Sequence, residues 1–302
     1  GVIEPTAIQT GRVIGPHPKP FPDSKEPDCP GGMSTRGLVL GTDFVSDVLR
    51  IALRVDEPLT LRPALPATDV ALRTMADAIT IASTTHLEIE RRELQAEYRP
   101  ALTELGEDGL EAEIYLYDTL AGGAGFAREV GEHVDRILQS ALEILENCPD
   151  NCDKSCYRCL RSFSNRFEHH QLDRFVGASL LRYFLRGEEP ILEPERLRRS
   201  ADRLFEDLQR QGLENVAFGR DEPVDIPGLG QVVAPICATV GGRTFVIGVH
   251  APLTPDYPAD PVLREAMEFG ASVPIVLIDD LVISQRTAGL NHSGDPYIGR
   301  CV

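Results

Sequence analysis

Four of the chain's seven cysteines fall within twelve residues, Cys148-Pro-Asp-Asn-Cys152-Asp-Lys-Ser-Cys156-Tyr-Arg-Cys159. Thiols crowd in this way when they share an ion. A tetrahedral zinc takes four soft ligands converging on one point, and closely spaced thiolates reach it with little loop entropy to lose. Zinc held by Cys148, Cys152, Cys156 and Cys159 would be structural, since four thiolates leave no position open for water. The closing Cys-x-x-Cys resembles half of a zinc knuckle. An iron–sulfur cluster would use the same ligands, and disulfides or a redox pair are the remaining uses of such residues. Against these last two, no signal peptide is visible and the other cysteines are scattered singly, unlike a secreted disulfide framework. A thioredoxin-like pair would open a helix after a strand in a βαβ unit, and no such unit precedes Cys156.

Around this cluster, 302 residues allow one large or two ordinary domains, and 42% hydrophobic with 25% charged residues is ordinary for a soluble globular chain. No apolar run approaches a membrane span. The expected compartment is cytoplasmic, with no membrane partner. The chain begins at Gly1 without an initiator methionine, as a fragment or processed product would. A net charge of −17 argues against indiscriminate nucleic-acid binding, which needs clustered Lys and Arg. A local strip is still allowed. Between Asp153 and Arg174, Lys154, Arg158, Arg161, Arg166 and Arg174 face Asp153, Glu168 and Asp173, five against three, or +2. A solvated loop of mixed charge would look much the same.

Local patterns place this loop in an α+β fold: a small antiparallel sheet with packed helices and the four-cysteine zinc loop, followed by a smaller α/β domain. Residues 1–35 carry too much proline for a helix or an inner strand and read as a linker or strap. Residues 36–189 form the cysteine-bearing domain. Leu38–Leu40 reads as a short strand. Alternation puts Leu49, Ile51 and Leu53 on one face of a second, Leu94, Ala96 and Tyr98 on a third, and Ala112, Ile114 and Leu116 on a fourth, the last two joined as a hairpin by a loop containing Gly106 and Gly109. Between them Thr68 or Asp69 can cap a helix to about Ser83, with Val70, Leu72, Met75 and Ile79 on its stripe.

The fourth strand runs into Tyr117-Asp118-Thr119-Leu120-Ala121-Gly122-Gly123-Ala124-Gly125, and one long amphipathic helix then delivers the chain to Cys148. Gly122, Gly123 and Gly125 could cradle phosphate at the helix N-terminus, or serve only to let the chain turn sharply. Asp118 would cap the turn or hold a neighbouring amide. After the cysteines, a helix from Leu172 through Phe184 should pack back on the long helix.

The order Tyr-Asp-Thr-x-x-Gly-Gly-x-Gly, long helix, Cys-x3-Cys-x3-Cys-Tyr-x-Cys-Leu-Arg-Ser and Leu-Asp-Arg resembles the MrfA-type zinc-binding domain over residues 36–186. That family's preceding strand looks like Thr42–Leu53. The domain occurs at the C-terminal end of superfamily two DEAD/DEAH-box helicases and in partner subunits such as the DrmB protein of the DISARM anti-phage system and the helicase-like protein of Druantia systems. The resemblance implies a structural zinc on the four cysteines, DNA as a ligand, a helicase motor in the same polypeptide or a partner subunit, and a setting in phage defence or DNA repair. Lys154, Arg158, Arg161 and Arg166, with Gly122, Gly123 and Gly125, are the candidate nucleic-acid contacts. The chain lacks both a Gly-x-x-x-x-Gly-Lys-Thr loop and an acidic box, the parts that cradle phosphates and hold magnesium. ATP hydrolysis is therefore not expected of it. A docking module for another subunit is the alternative role.

Residues 190–302 read as a helix over Leu197–Gly212, strands Val232–Val240 and Arg243–Val249 around Gly241-Gly242, a helix over Pro261–Phe269 and a buried strand Val273–Ile278 ending at Asp279-Asp280. The order weakly resembles very short patch repair nucleases. Asp225 could stand for the first acid of such a site, but Ile236-Cys-Ala-Thr supplies neither the second acid nor the lysine. Cys237 belongs to the core.

Overall fold

In the computed structural model, which describes residues 10–14, 17–18, 28–29, 32–36, 44–100, 111–226, 230–269 and 273–286, the described parts of the Pro/Gly-rich start form two-stranded pairings. Strand β1 (Thr10–Ile14) opens the segment. Strands β2 (His17–Pro18) and β3 (Asp28–Cys29) pair with each other, and β4 (Gly32–Arg36) returns antiparallel to β1. Every strand there is an edge, where a residue without an N–H is tolerated. The expected strand Leu38–Leu40 and the loop around Gly106 and Gly109 lie outside the described residues.

The three alternating runs pair as expected. Strands β5 (Val48–Arg54), β6 (Leu94–Pro100) and β7 (Glu111–Asp118) form an antiparallel sheet in the order β5-β7-β6, with Ile51 and Tyr98 flanking Ile114. One face carries Leu53, Leu94, Ala96, Ala112, Ile114 and Leu116, all buried. Helix α1 (Pro66–His86) covers it. The start of α1 differs from expectation. It is set by Pro66, whose missing N–H costs nothing in the first turn, so Thr68 and Asp69 lie inside the helix and Leu65 precedes it without a side-chain cap. Leu72, Met75 and Ile79 are fully enclosed, and Thr68, Thr74 and Ser83 are buried too, because α1 has the sheet on one side and two further helices on the other.

Those helices hold the cysteine loop. The single long helix expected after the glycines is two, α2 (Phe126–Glu132) and α3 (Val134–Glu146), broken at His133. The break follows Gly131, a poor helix former, which lies against Leu49 of the sheet. His133 closes α2 with a bond from its N–H to the Val130 carbonyl, and its ring packs edge-on to His86 of α1. Helix α4 (Arg174–Arg186) returns beside α3.

The last third forms a second sheet, in the order β11-β10-β9-β8. Helix α5 (Pro194–Arg210) leads to β8 (Val216–Ile226), β9 (Gly230–Val240) and β10 (Arg243–His250), which are antiparallel. Helix α6 (Pro261–Glu268) then crosses to β11 (Ile275–Asp279), parallel to β10, and α7 (Asp280–Arg286) follows. Ala201, Leu204 and Ile283 cover one face; Leu263 and Ala266 cover the other. Strand β8 was not expected, because Gly219, Asp221, Glu222 and Pro223 hide its alternation. It is an edge strand, and its pairing lapses at Asp221, opposite Pro235, which has no N–H to give. The second sheet is joined to the first: Leu253 and Leu281 are buried in the same core as α1, and the Thr60 N–H donates to the Leu253 carbonyl at 2.8 Å.

No nuclease constellation assembles among the described residues. Asp225 is exposed on β8. Asp280 is buried against Arg196 (2.6 Å) and the Ser200 hydroxyl, while Asp279 accepts the Leu281 N–H at 2.8 Å. Both acids fasten α5 and α7 to the end of β11. Cys237 is buried in β9, as expected, with its thiol 3.4 Å from Glu222.

Candidate metal centre and the loop that carries it

Helix α3 ends at Glu146 and releases the chain into Cys148; α4 takes it up again at Arg174. Between them the four sulfurs lie within 4.8 Å of one another. The Sγ separations are 3.5 Å for Cys148 and Cys156, 3.7 Å for Cys152 and Cys159, and 3.7 Å for Cys156 and Cys159. Zinc–sulfur bonds of about 2.3 Å in a tetrahedron put sulfurs about 3.8 Å apart. A bonded disulfide would need about 2.05 Å, and all four thiols are free. The donor set therefore fits a closed tetrahedral zinc site.

Backbone geometry supports the same use. The Cys156 N–H donates to Cys159 Sγ at 3.2 Å and the Arg158 N–H to Cys156 Sγ at 3.4 Å. The N–H groups of Cys159, Leu160 and Arg161 all converge on the Cys156 carbonyl, the tight turn of a zinc knuckle. Asn151 takes a left-handed conformation (φ 44°), which Asn accepts more readily than most residues. Burial raises the Cys148 thiol, but bonds to backbone groups of Cys152 and Asp150 and to the neighbouring sulfurs outweigh it and bring it down to about 6. Burial, followed by the adjacent thiols, pushes Cys152 up; burial also leads the rise at Cys159. Bare sulfurs thus keep protons that a divalent cation would displace.

The loop is clamped from below by a residue that counted in the sequence only as one charge. Arg174 is 4% exposed. Its Nε donates to the Cys152 carbonyl at 2.8 Å, Nη1 to the Leu145 and Glu146 carbonyls at 3.1 Å each, and Nη2 to Asn151 Oδ1 at 3.1 Å. One guanidinium satisfies the open carbonyls at the end of α3, where a cation also complements the helix dipole, and holds the metal loop beside them. Its own N–H reaches the Lys154 carbonyl at 2.8 Å. Asp173 caps α4 through the Phe175 and Val176 amides, and its N–H donates to Thr74 in α1. Leu172 is buried, so Leu-Asp-Arg is the hinge pin of the assembly.

The glycine turn is occupied by the protein's own carboxylates. Asp118, fully buried, accepts the amides of Ala124 (2.6 Å), Phe126 (3.2 Å) and Ala127 (2.8 Å), as expected for a capping residue. Asp47 accepts the Gly125 amide at 3.0 Å. Gly122 and Gly123 donate to the carbonyls of Val45 and Leu120. Gly123, at φ 78°, also lies so close to Asp47 that a Cβ would strike its carboxylate. The amides of residues 122–127 are thus engaged within the protein, and two carboxylates stand where a phosphate would sit.

The candidate cations lie on the metal loop. Arg158 and Arg166 are exposed; Lys154 and Arg161 are half-buried and line a cleft of about 510 Å³ with His169, His170 and Gln285. Arg161 Nε donates to the Ser155 hydroxyl at 2.9 Å. Elsewhere in this unit Arg50, Arg73, Arg182 and Arg186 reach glutamates. Lys154, Arg158, Arg161 and Arg166 have no carboxylate within ion-pair distance among the described residues. The loop's outer part is pinned by Asn165. Its side chain donates to Asp77 of α1 (2.9 Å) and to the Leu160 carbonyl (3.0 Å), and its Oδ1 accepts the Ser162 N–H (2.8 Å). A tie of eighty-eight residues in sequence leaves no local signal. Burial lifts the Asp77 carboxyl to about 6, despite the Asn165 bond and Arg73.

Residues 75–160, which include all four cysteines, match the model of the MrfA Zn-binding domain. The chain is 31% identical over 257 residues to the Druantia protein DruE of Escherichia coli, covering 82% of this chain but 13% of that protein. It is 32% identical over 75 residues to an uncharacterised protein of Methanocaldococcus jannaschii, covering 25% of this chain and 65% of that one. Among solved structures, the DUF1998 helicase MrfA bound to DNA aligns over 54% of this chain and 22% of that one, with 14% identity and a TM-score of 0.28. The chain thus spans a small part of the Druantia relative. Among its described residues no helix is long and apolar enough to cross a membrane.

Proposed function

We propose that this chain, which carries an MrfA Zn-binding domain, is the DNA-engaging accessory region of a helicase or of a helicase-partner subunit, with zinc as the structural staple of its contact loop. The ATPase would lie elsewhere in the same polypeptide or in a partner. The match to a Druantia protein supports a setting in phage defence, and DNA repair is the other setting the family resemblance allows. One observation carries the reading: in a chain of net charge −17, Arg158, Arg161 and Arg166 of the metal loop have no carboxylate within ion-pair distance among the described residues, while neighbouring arginines are paired. Unpaired cations held on a rigid loop are what phosphates require. Zinc would act here only as a cross-link, held by Cys148, Cys152, Cys156 and Cys159.

The test is fluorescence anisotropy of labelled single-stranded and duplex DNA with the zinc-loaded chain across a salt series. Binding that weakens with salt, and that falls about tenfold or more in an Arg158→Glu/Arg161→Glu variant with a shallower salt slope, supports the proposal. Absence of binding to either DNA at low salt refutes it. The overall negative charge would then favour the alternative, a zinc-stapled module that docks another subunit.

A further inference from the structure

The cations of the metal loop are interleaved with aromatic rings that stand largely in solvent. Tyr157, Phe163 and Phe167 are 68%, 77% and 76% exposed. Large rings left in water at three positions within eleven residues cost burial energy that the fold could otherwise collect, so a ligand for them is expected. They are also held in place. The Arg166 guanidinium lies over both phenyl rings, 4.4 Å from the Phe163 centroid and 4.3 Å from that of Phe167, with Nη1 bonded to the Phe163 carbonyl. Each ring thus has one face on the cation and keeps the other in solvent. Tyr157 packs edge-on to His169, 5.5 Å between centroids. The His169 Nε2 is 3.0 Å from both the Ser162 carbonyl and Asn165 Oδ1. Tyr157 therefore joins the network that ties Asn165 to Asp77, and the two phenyl rings flank Asn165 along the chain.

We infer that this face is a stacking platform for unpaired bases, so that the nucleic acid it takes is single-stranded. The inference rests on the DNA-binding reading proposed above. Base stacking on an exposed aromatic face is open to any sequence, but only to a base already out of a duplex, whose stacked pairs offer edges alone. Lys154 and Arg161 line a cleft with His169, the ring partner of Tyr157, and Arg158 follows Tyr157 in the chain; among the described residues Arg158 and Arg161 have no carboxylate within ion-pair distance, which leaves them open to the phosphates of a backbone running past stacked bases.

The experiment compares three ligands on the zinc-loaded full chain at fixed salt: an oligothymidine, an abasic strand of the same length and charge, and a duplex. Phe163→Ser/Phe167→Ser is compared with wild type and with Arg158→Glu/Arg161→Glu. Arg158, Phe163 and Phe167 are at the surface and Arg161 is half-buried against Ser155, so folding of both variants is checked by melting and by zinc content. The wild type should bind oligothymidine about tenfold or more tighter than the abasic strand. The ring variant should lose that preference while keeping wild-type affinity for the abasic strand and an unchanged salt slope. The charge variant should weaken on both strands. If wild type binds the two strands equally and the ring variant changes nothing, while charge reversal still weakens binding, the platform is refuted and the DNA-binding reading stands. Binding of no DNA by wild type refutes both. A ring variant that alters self-association but not DNA affinity assigns the rings to a protein contact and overturns the inference.

Discussion

Removing the Arg174 guanidinium should cost more than any surface charge on the loop, and the cost should appear in zinc affinity. In Arg174→Met the four acceptors lose their donor. Asn151 Oδ1 is at the surface and the Glu146 carbonyl is part-exposed, so both can turn to water. The Leu145 carbonyl is buried and that of Cys152 partly so. Two poorly solvated acceptors at about 1–2 kcal/mol each, with about 0.5 kcal/mol for the cation at the end of α3, give a loss of about 3 kcal/mol. Arg174→Lys keeps the charge but cannot span carbonyls on opposite sides of the fork, and should lose about 2 kcal/mol. If the loop is ordered by clamp and zinc together, the loss is shared with zinc binding by linkage, up to about a hundredfold in affinity. Urea denaturation followed by helix signal gives the first quantity, and zinc competition against a chromophoric chelator gives the second. A loss under about 1 kcal/mol with unchanged zinc affinity would show that the clamp holds nothing.

Three further outcomes follow from the structure. The chain should bind about one zinc, and its affinity should rise from pH 6 to pH 8, because the protons that Cys152 and Cys159 hold above their ordinary range must leave; a pH-independent affinity measured by chelator competition counts against four thiolate ligands. Asp118→Ala strips three amides at the start of α2 of their buried acceptor and should cost about 2–4 kcal/mol in denaturation, whereas Asp118→Asn, which keeps one oxygen, should cost clearly less; equal losses would contradict the capping role. Burial raises Asp77 from 3.8 to about 6, so this group's contribution to stability falls as pH rises through that window and the cost is complete above it. Asp77→Asn should therefore flatten the stability profile between pH 4 and pH 6, and a profile parallel to wild type would refute the shift.

The parts legible in the sequence are those that periodicity and spacing encode. Leu49, Ile51 and Leu53, and Ala112, Ile114 and Leu116, announced their strands because one buried face imposes a two-residue repeat. The cysteines announced their site because four ligands had to fit one loop, and Asp118 announced its cap from its place before a helix. Longer-range chemistry was not legible. Arg174 looked like a member of a charge strip and is buried under the loop. Asn165 and Asp77 have no local pattern, being joined only once α1 is folded beneath the loop. Strand β8 was hidden because an edge strand tolerates the acids, glycine and proline that an inner strand excludes. The break at His133 escaped because apolar spacing continues across it while the backbone changes direction.

The ties around Asn165 have a mechanical consequence. A pull on Phe163 or Phe167 reaches the body of the protein along two parallel routes, one through Asn165 and Asp77 into α1, the other through the cysteine cluster and Arg174 into α3 and α4. Helix α1 receives both, enclosed by the sheet and by those same two helices. The projecting rings are thus braced at two points, so a load on them passes to α1, α3 and α4 together and not through the backbone of the loop alone.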